Sequence, residues 1–180
     1  MENSTALTDT NFSVIILCPD ANSGGLKTTT NSIRVEFSGV NCVAVVGNNA
    51  HVENVKSLDK YCRVCHGGKM ITSLIDKGMT ELQSDWHLVV MSGSLVRYNV
   101  VKKYKIFAKS EKDILYPVVD RKYLFHEASI NGIFMSKVAY DDIGSFGDNI
   151  PNLKETKLLW ATRALEKKYK FKAIVGGRFV

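Results

Sequence analysis

Short apolar runs alternating with segments of helical period limit what this chain can fold into more than any other feature. FSVIILC (residues 12–18), CVAVV (42–46) and WHLVVM (86–91) are continuous apolar stretches of strand length. They are closed by Pro19, by Gly47-Asn48-Asn49 and by Ser92-Gly93-Ser94. A strand that is apolar throughout needs cover on both faces. Between the runs lie segments of helical spacing: Leu26, Thr30, Ile33 and Phe37; then Met70, Leu74, Ile75, Met79 and Leu82 over Lys69–Gln83; then Leu95 to about Phe107. Tyr61–Cys65 reads as a weaker third strand. Strand and helix in alternation predict an α/β protein with parallel strands and helices on their faces, a Rossmann-like three-layer α/β/α arrangement around a mostly parallel, mixed sheet.

In such sheets ligands gather beyond the carboxyl ends of the strands. That rule singles out the loops Pro19–Gly25, Gly47–Ala50 and Ser92–Ser94. The second half is less regular. Ile114–Val119, Tyr123–His126 and Ile130–Met135 read as strands, and Ser136–Ile143 as a short helix. Asn152–Tyr169 reads as a long helix with Leu153, Thr156, Leu159, Trp160, Arg163, Ala164 and Lys167 along one side, and Lys172–Val175 as a short strand. No repeat or linker divides the chain, so residues 1–180 are expected to form one domain, with 1–11 a flexible start.

The charge balance narrows the partners. The formal net charge is +6, much of it in Lys102-Lys103-Lys105, Arg121-Lys122 and Lys167-Lys168-Lys170. Basic surfaces favour phosphate-bearing partners such as a nucleotide, nucleic acid or anionic lipid, and such clusters are also common on plain solvated faces. Nucleic acid is disfavoured by the lack of interleaved aromatic and basic residues of the kind that stack bases. Residues 1–11 hold two acids, no base and no apolar run, unlike an export signal. A cytoplasmic protein with four reduced cysteines and no transmembrane segment is expected.

Some local patterns are set aside. Cys62-Arg63-Val64-Cys65-His66 has haem-attachment spacing, but that chemistry follows export. The same pair read as a redox dithiol would close a strand rather than open a helix. Zinc would need further ligands. Gly67-Gly68-Lys69 lacks the longer phosphate-loop pattern, and Trp86 and Trp160 read as core.

Two stretches carry a family likeness. Gly67–Arg97 (GGKMITSLIDKGMTELQSDWHLVVMSGSLVR) holds a helix, a polar turn and an apolar strand in the order that delivers an Asp-x-Asp motif. Asn131–Asn149 (NGIFMSKVAYDDIGSFGDN) holds a glycine, an apolar pair, a basic residue, a short helix and Gly144, Phe146 and Asp148 in a Gly-x-Phe-Asp-like signature. With the opening FSVIILCP, the chain resembles the family-two glycosyltransferases of the GT-A type over nearly its whole length. The resemblance implies a nucleotide-diphospho-sugar transferase fold, a nucleoside diphosphate sugar as donor, and a glycan, lipid or protein as acceptor. It implies donor binding at Pro19, Asp20, Asn48, Ser92, Ser94 and Arg97, with Glu155 as catalytic base and Asp148 as a second catalytic carboxylate. Asp141 and Asp142 are rival carboxylates, more at home on the solvated side of a short helix. Lys137 and Arg121 are further options for the leaving diphosphate.

The departures are specific. The family's Asp-x-Asp is here Ser92-Gly93-Ser94, and an Asp expected after the second strand is Gly47-Asn48-Asn49. Divalent cations need hard oxygen ligands, so a Mn or Mg site is in doubt, and no metal ligand is assigned. Three functions remain open: a transferase using bases in place of metal, a degenerate relative that binds without catalysis, and a basic α/β nucleic-acid-binding module.

Overall fold

The structure, a computed structural model, describes residues 11–19, 23–47, 62–119, 124–147, 152–177 and 179. Its centre is β1 (Phe12–Cys18), buried along its full length because parallel strands lie on both sides and helices on both faces. Among the described residues the sheet has seven strands: β1, β2 (Asn41–Val46), β3 (Arg63–His66), β4 (Trp86–Met91), β5 (Asp113–Val118), β6 (Ile133–Ser136) and β7 (Lys170–Val175). Their spatial order is β3-β2-β1-β4-β6-β5-β7. Ile16 stands beside Ala44 of β2 and Val90 of β4 in parallel register. Only β6 runs the other way, antiparallel to β4 and to β5, while β5 and β7 are parallel. The mostly parallel, mixed sheet read from the alternation is present.

Alternation along each strand sorts the core into two layers. Val14, Ile16, Cys18, Ala44, Val46, Leu88 and Val90 face α1 (Ser23–Glu36) and α3 (Tyr98–Phe107), which contribute Leu26, Ile33, Val101 and Tyr104. Ile15, Leu17, Val43, Val45 and Val89 face the other layer. There α2 (Ile71–Glu81), α4 (Lys137–Ile143) and α5 (Leu153–Glu166) bring Leu74, Ile75, Met79, Tyr140 and Trp160. Each fully buried aliphatic or aromatic side chain contributes about 1.5–3 kcal/mol. α2 lies close over β1: a Cβ placed on Gly78 would stand 2.3 Å from Cγ2 of Ile15.

Local chemistry fixes the helix ends. The Ser136 hydroxyl accepts from the Ala139 amide at 2.9 Å and donates to the Glu111 carbonyl, capping α4. Asn152 caps α5 by accepting from the Lys154 amide. α4 stops at Gly144, whose φ of +90° suits a residue without a side chain.

Two expectations fail. The strand expected over Tyr123–His126 is not seen: Tyr123 lies outside the described residues, and Leu124–Ala128 is a turn. Its apolar residues Phe125 and Ala128 are buried, but the segment is folded around Lys157, a lysine only 4% exposed, whose ammonium donates to the carbonyls of Phe125 and Ala128. In α5 the inward side is Thr156, Lys157, Trp160, Ala161 and Ala164, whereas Leu159 is 53% exposed. Trp160 and Trp86 are core residues, and Asp141 and Asp142 lie on the solvated side of α4, as read. No helix among the described residues is long and apolar enough to cross a membrane.

Candidate functional site at the strand carboxyl ends

The chain leaves β1 into α1 and returns as β2 on one side, while β4 lies on the other. The strand order therefore reverses between β1 and β4, and by the rule for open α/β sheets the carboxyl ends of these strands are where a ligand crevice is expected. Backbone contacts draw its rim together. The Gly47 amide donates to the Cys18 carbonyl at 3.1 Å, and a Cβ on Gly47 would stand 2.9 Å from the Pro19 carbonyl oxygen. The Ser92 amide donates to the Leu17 carbonyl at 2.9 Å.

The first turn of α1 rests on the loop after β4. The Gly93 amide donates to the Gly25 carbonyl at 3.0 Å and to the Thr29 hydroxyl at 2.9 Å. A Cβ on Gly25 would lie 3.0 Å from the Ser92 hydroxyl oxygen. A helix start carries partial positive charge. This one has glycine at positions 24 and 25 and no acid in its first turn.

Ser92 and Ser94 differ in what they can offer. Ser92 is half-buried beside the Cys18 thiol, whose pKa burial pushes up to about 11 while a hydrogen bond with Ser92 works the other way. Ser94 is buried, and its hydroxyl accepts from the Asn131 side-chain amide at 2.9 Å. The same Asn131 nitrogen donates to the Phe179 carbonyl at 2.8 Å, and its oxygen accepts from the Met91 amide at 2.9 Å. Asn131 thus ties the end of β4, the following loop and the segment after β7 together. Sequence reading gave Asn131 no role. The signal available was an Asn-Gly pair just before an apolar strand.

A second group of contacts lies in the opposite layer. The Asp76 carboxylate of α2 accepts from the Tyr140 hydroxyl at 2.6 Å, the Phe146 amide at 2.9 Å and the Gly147 amide at 3.2 Å. Trp160 donates from its indole to the Gly144 carbonyl and stacks on Phe146 with ring centres 4.5 Å apart. A cleft of about 410 Å³ opens beside this loop, lined by Phe146, Gly147, Thr156, Leu159, Thr162, Arg163 and Glu166. Asp76 was not singled out in the sequence because its partners are 64 to 71 residues away.

Among the sequence-predicted residues, Pro19 follows β1 close against Gly47, Ser92 follows β4 beside Leu17, Cys18 and Gly25, and Ser94 is buried two residues further on. Arg97 is exposed at the residue before α3. Glu155 is exposed in the first turn of α5, next to cleft-lining Thr156. Because α5 runs directly into β7, its first turn points toward the strand carboxyl ends, the side on which Ser92 lies. Lys137 follows β6 at the opposite edge, where its amide bonds the Asp85 carbonyl and its ammonium pairs with Asp141, so it is not at the crevice. Asp20, Asn48, Asp148 and Arg121 lie outside the described residues.

At the end of β4 the described oxygens are hydroxyls and an amide, with no carboxylate. No group of three or more His, Cys, Asp or Glu side chains among the described residues is placed to hold a metal. These residues do not fit a divalent cation. The Cys62–Cys65 pair is likewise no dithiol: Cys65 packs on the α2 layer and Cys62 on the α1 layer, as positions three apart on an extended chain must. Cys62 instead shares a hydrogen bond with Cys42, which together with burial raises its pKa.

No family model and no curated protein sequence matches this chain. Solved structures do. A mannosyltransferase, PcManGT from Pyrobaculum calidifontis in complex with GDP-Man and Mn2+, superposes with a TM-score of 0.69 at 9% identity, covering 92% of this chain and 55% of that one. The bifunctional IspDF from Campylobacter jejuni gives 0.64 at 13%, covering 94% and 52%. TarS 1–349 from S. aureus gives 0.62 at 12%, covering 94% and 59%. The fold is similar to that of nucleotide-diphospho-sugar transferases. The chain spans between half and three-fifths of the length of these structures.

Proposed function

We propose that this chain binds a nucleoside diphosphate sugar across the carboxyl ends of β1, β2 and β4 and transfers the sugar to a hydroxyl of a glycan, lipid or protein. The observation that carries this reading is the reversal of strand order between β1 and β4, with the glycine-bearing first turn of α1 packed on Ser92-Gly93. The likeness to a mannosyltransferase holding GDP-Man supports the donor class.

In this reading Pro19 and Asp20 flank the nucleobase and Asn48 bonds the ribose. Ser92 meets the diphosphate, and Ser94, held by Asn131, keeps the loop in shape. Glu155, or Asp148 seven residues before it in the sequence, takes the proton of the acceptor hydroxyl. The acceptor oxygen then bonds to the anomeric carbon as the bond from that carbon to the diphosphate oxygen breaks. The departing charge is met by the amides of the first turn of α1 and by Arg97. No step is routed through a metal.

A second reading, donor binding without transfer, is favoured by the carboxylate-free loop after β4. Thermal unfolding of the wild type with a panel of nucleoside diphosphates and their sugars, with and without Mn, tests donor binding. A ligand at a hundred times its Kd adds about 2.7 kcal/mol of stability. No shift with any of them removes both readings. A shift retained in Glu155→Gln, with sugar transfer to acceptor present in wild type and lost in the variant, selects the first.

A further inference from the structure

The two helical layers differ in charge. α1 and α3 together carry Lys27, Arg34, Lys102, Lys103 and Lys105 against a single acid, Glu36, whose carboxylate is engaged by the Tyr98 amide at 3.1 Å. Arg97 and Lys109 flank α3 at its two ends. The helices of the opposite layer carry six acids against five bases, with pairs such as Lys77–Glu81 and Lys137–Asp141. Among the described residues, helical charge imbalance therefore resides on the α1–α3 side.

This basic layer also exposes apolar side chains. On α3, Ile106 is 52% and Phe107 47% exposed, and Val35 near the end of α1 is 81% exposed. Ile106 lies four residues after Lys102 and three after Lys103, so all three share the outward face of the helix, opposite buried Val101 and Tyr104. The two helices are joined: the Phe37 and Tyr98 rings stand 6.0 Å apart, and the Ser32 hydroxyl accepts from the Val96 amide at 2.9 Å.

The geometry points to the α1–α3 layer as a docking surface for an anionic membrane. Lysines around an exposed aliphatic centre match a bilayer interface, where ammonium groups meet lipid phosphates and the apolar side chains enter the headgroup–acyl boundary. Nucleic acid offers the same phosphates but no acyl layer for Ile106 and Val35, and an aliphatic side chain is no platform for a base. Both helices begin at the carboxyl ends of the strands, so a membrane against this layer runs alongside the crevice rather than across its mouth.

The test is co-sedimentation of the full chain with phosphatidylcholine vesicles, with and without phosphatidylglycerol, at physiological ionic strength. Binding is expected only with the anionic lipid. Each lysine lost weakens it about fivefold, so Lys102→Gln with Lys103→Gln costs about twenty-fivefold. Ile106→Ser with Phe107→Ser, which leaves the charge untouched, also weakens binding. All four side chains are exposed, so the thermal midpoints stay within a few degrees of wild type. No sedimentation with anionic vesicles overturns the proposal. So does a wild-type affinity in Ile106→Ser with Phe107→Ser, or complete displacement from vesicles by single-stranded RNA, either of which assigns the patch to bare phosphate.

Discussion

Asp76→Ala is the substitution with the most to say about how the rear of the candidate site is held. The carboxylate accepts three hydrogen bonds: one from Tyr140 on α4 and two from the amides of Phe146 and Gly147. Hydrogen bonds to a charged acceptor contribute roughly 1.5–3 kcal/mol each. Asp76 is only half-buried, so water can rehydrate the amides, and about 1 kcal/mol per bond is the better figure here. The expected loss is about 3 kcal/mol, or a fall in Tm of about 6–12 °C for a chain of this size. Urea denaturation followed by circular dichroism measures it, and hydrogen exchange at Phe146 and Gly147 should accelerate. Tyr140→Phe alone should cost about 1 kcal/mol, and in the Asp76→Ala background almost nothing. Under the proposed function, sugar transfer falls more than donor affinity, since Phe146 and Gly147 line the cleft that Thr156, beside Glu155, also lines, whereas Ser92 lies on another loop. A loss in Asp76→Ala below about 1 kcal/mol, or full additivity with Tyr140→Phe, would refute the idea that one carboxylate anchors this loop.

Three further substitutions have defined outcomes. His87 is fully buried on β4, neither ring nitrogen has a hydrogen-bond partner among the described residues, and burial, then Lys137, lowers its pKa to about 4. The unfolded chain takes up the proton first, so stability falls between pH about 6.5 and about 4, by up to ~3 kcal/mol; His87→Leu should flatten that arm of the acid-denaturation curve. Gly78→Ala should lower stability by about 1–3 kcal/mol in chemical denaturation despite the better helix propensity of alanine, because its methyl meets Ile15. Asn131→Ala removes three hydrogen bonds at the end of β4; it should cost about 2–3 kcal/mol and, under the proposed function, weaken nucleotide binding by calorimetry more than Gly78→Ala does at equal destabilisation.

The legible parts of the fold were those where local pattern and tertiary role agree. β1, β2 and β4 are apolar at nearly every position that the sheet buries, Ser13 and His87 being the exceptions in β1 and β4, and α2 turns Leu74, Ile75 and Met79 inward at helical spacing. The turn at Leu124–Ala128 was misread because burial of Phe125 and Ala128 depends on a lysine some thirty residues later, which an apolar pattern does not encode. Leu159 was misplaced inward because Lys157, a polar residue, takes the buried position. The crevice was legible as loops, since carboxyl-end loops follow from strand direction. Asn131 and Asp76 were not, because each acts through backbone groups distant in sequence. Asp20, Asn48 and Asp148 remain expectations from the family likeness.

The sheet order also sets a timetable for synthesis. Residues 12–91 supply β3, β2, β1 and β4, which can pair in the order in which they leave the ribosome. The remaining strands cannot. β5 gains its outer neighbour only when β7 pairs with it, Asp113 beside Lys170 and Leu115 beside Lys172. At about 5–20 residues per second, the apolar segment Ile114-Leu115-Tyr116 spends roughly 3–10 s with an open edge, a template for misassociation. Asn131 likewise waits for the Phe179 carbonyl before its amide is satisfied. A nascent chain stalled before β7 displays an apolar edge that the pairing of β5 with β7 covers.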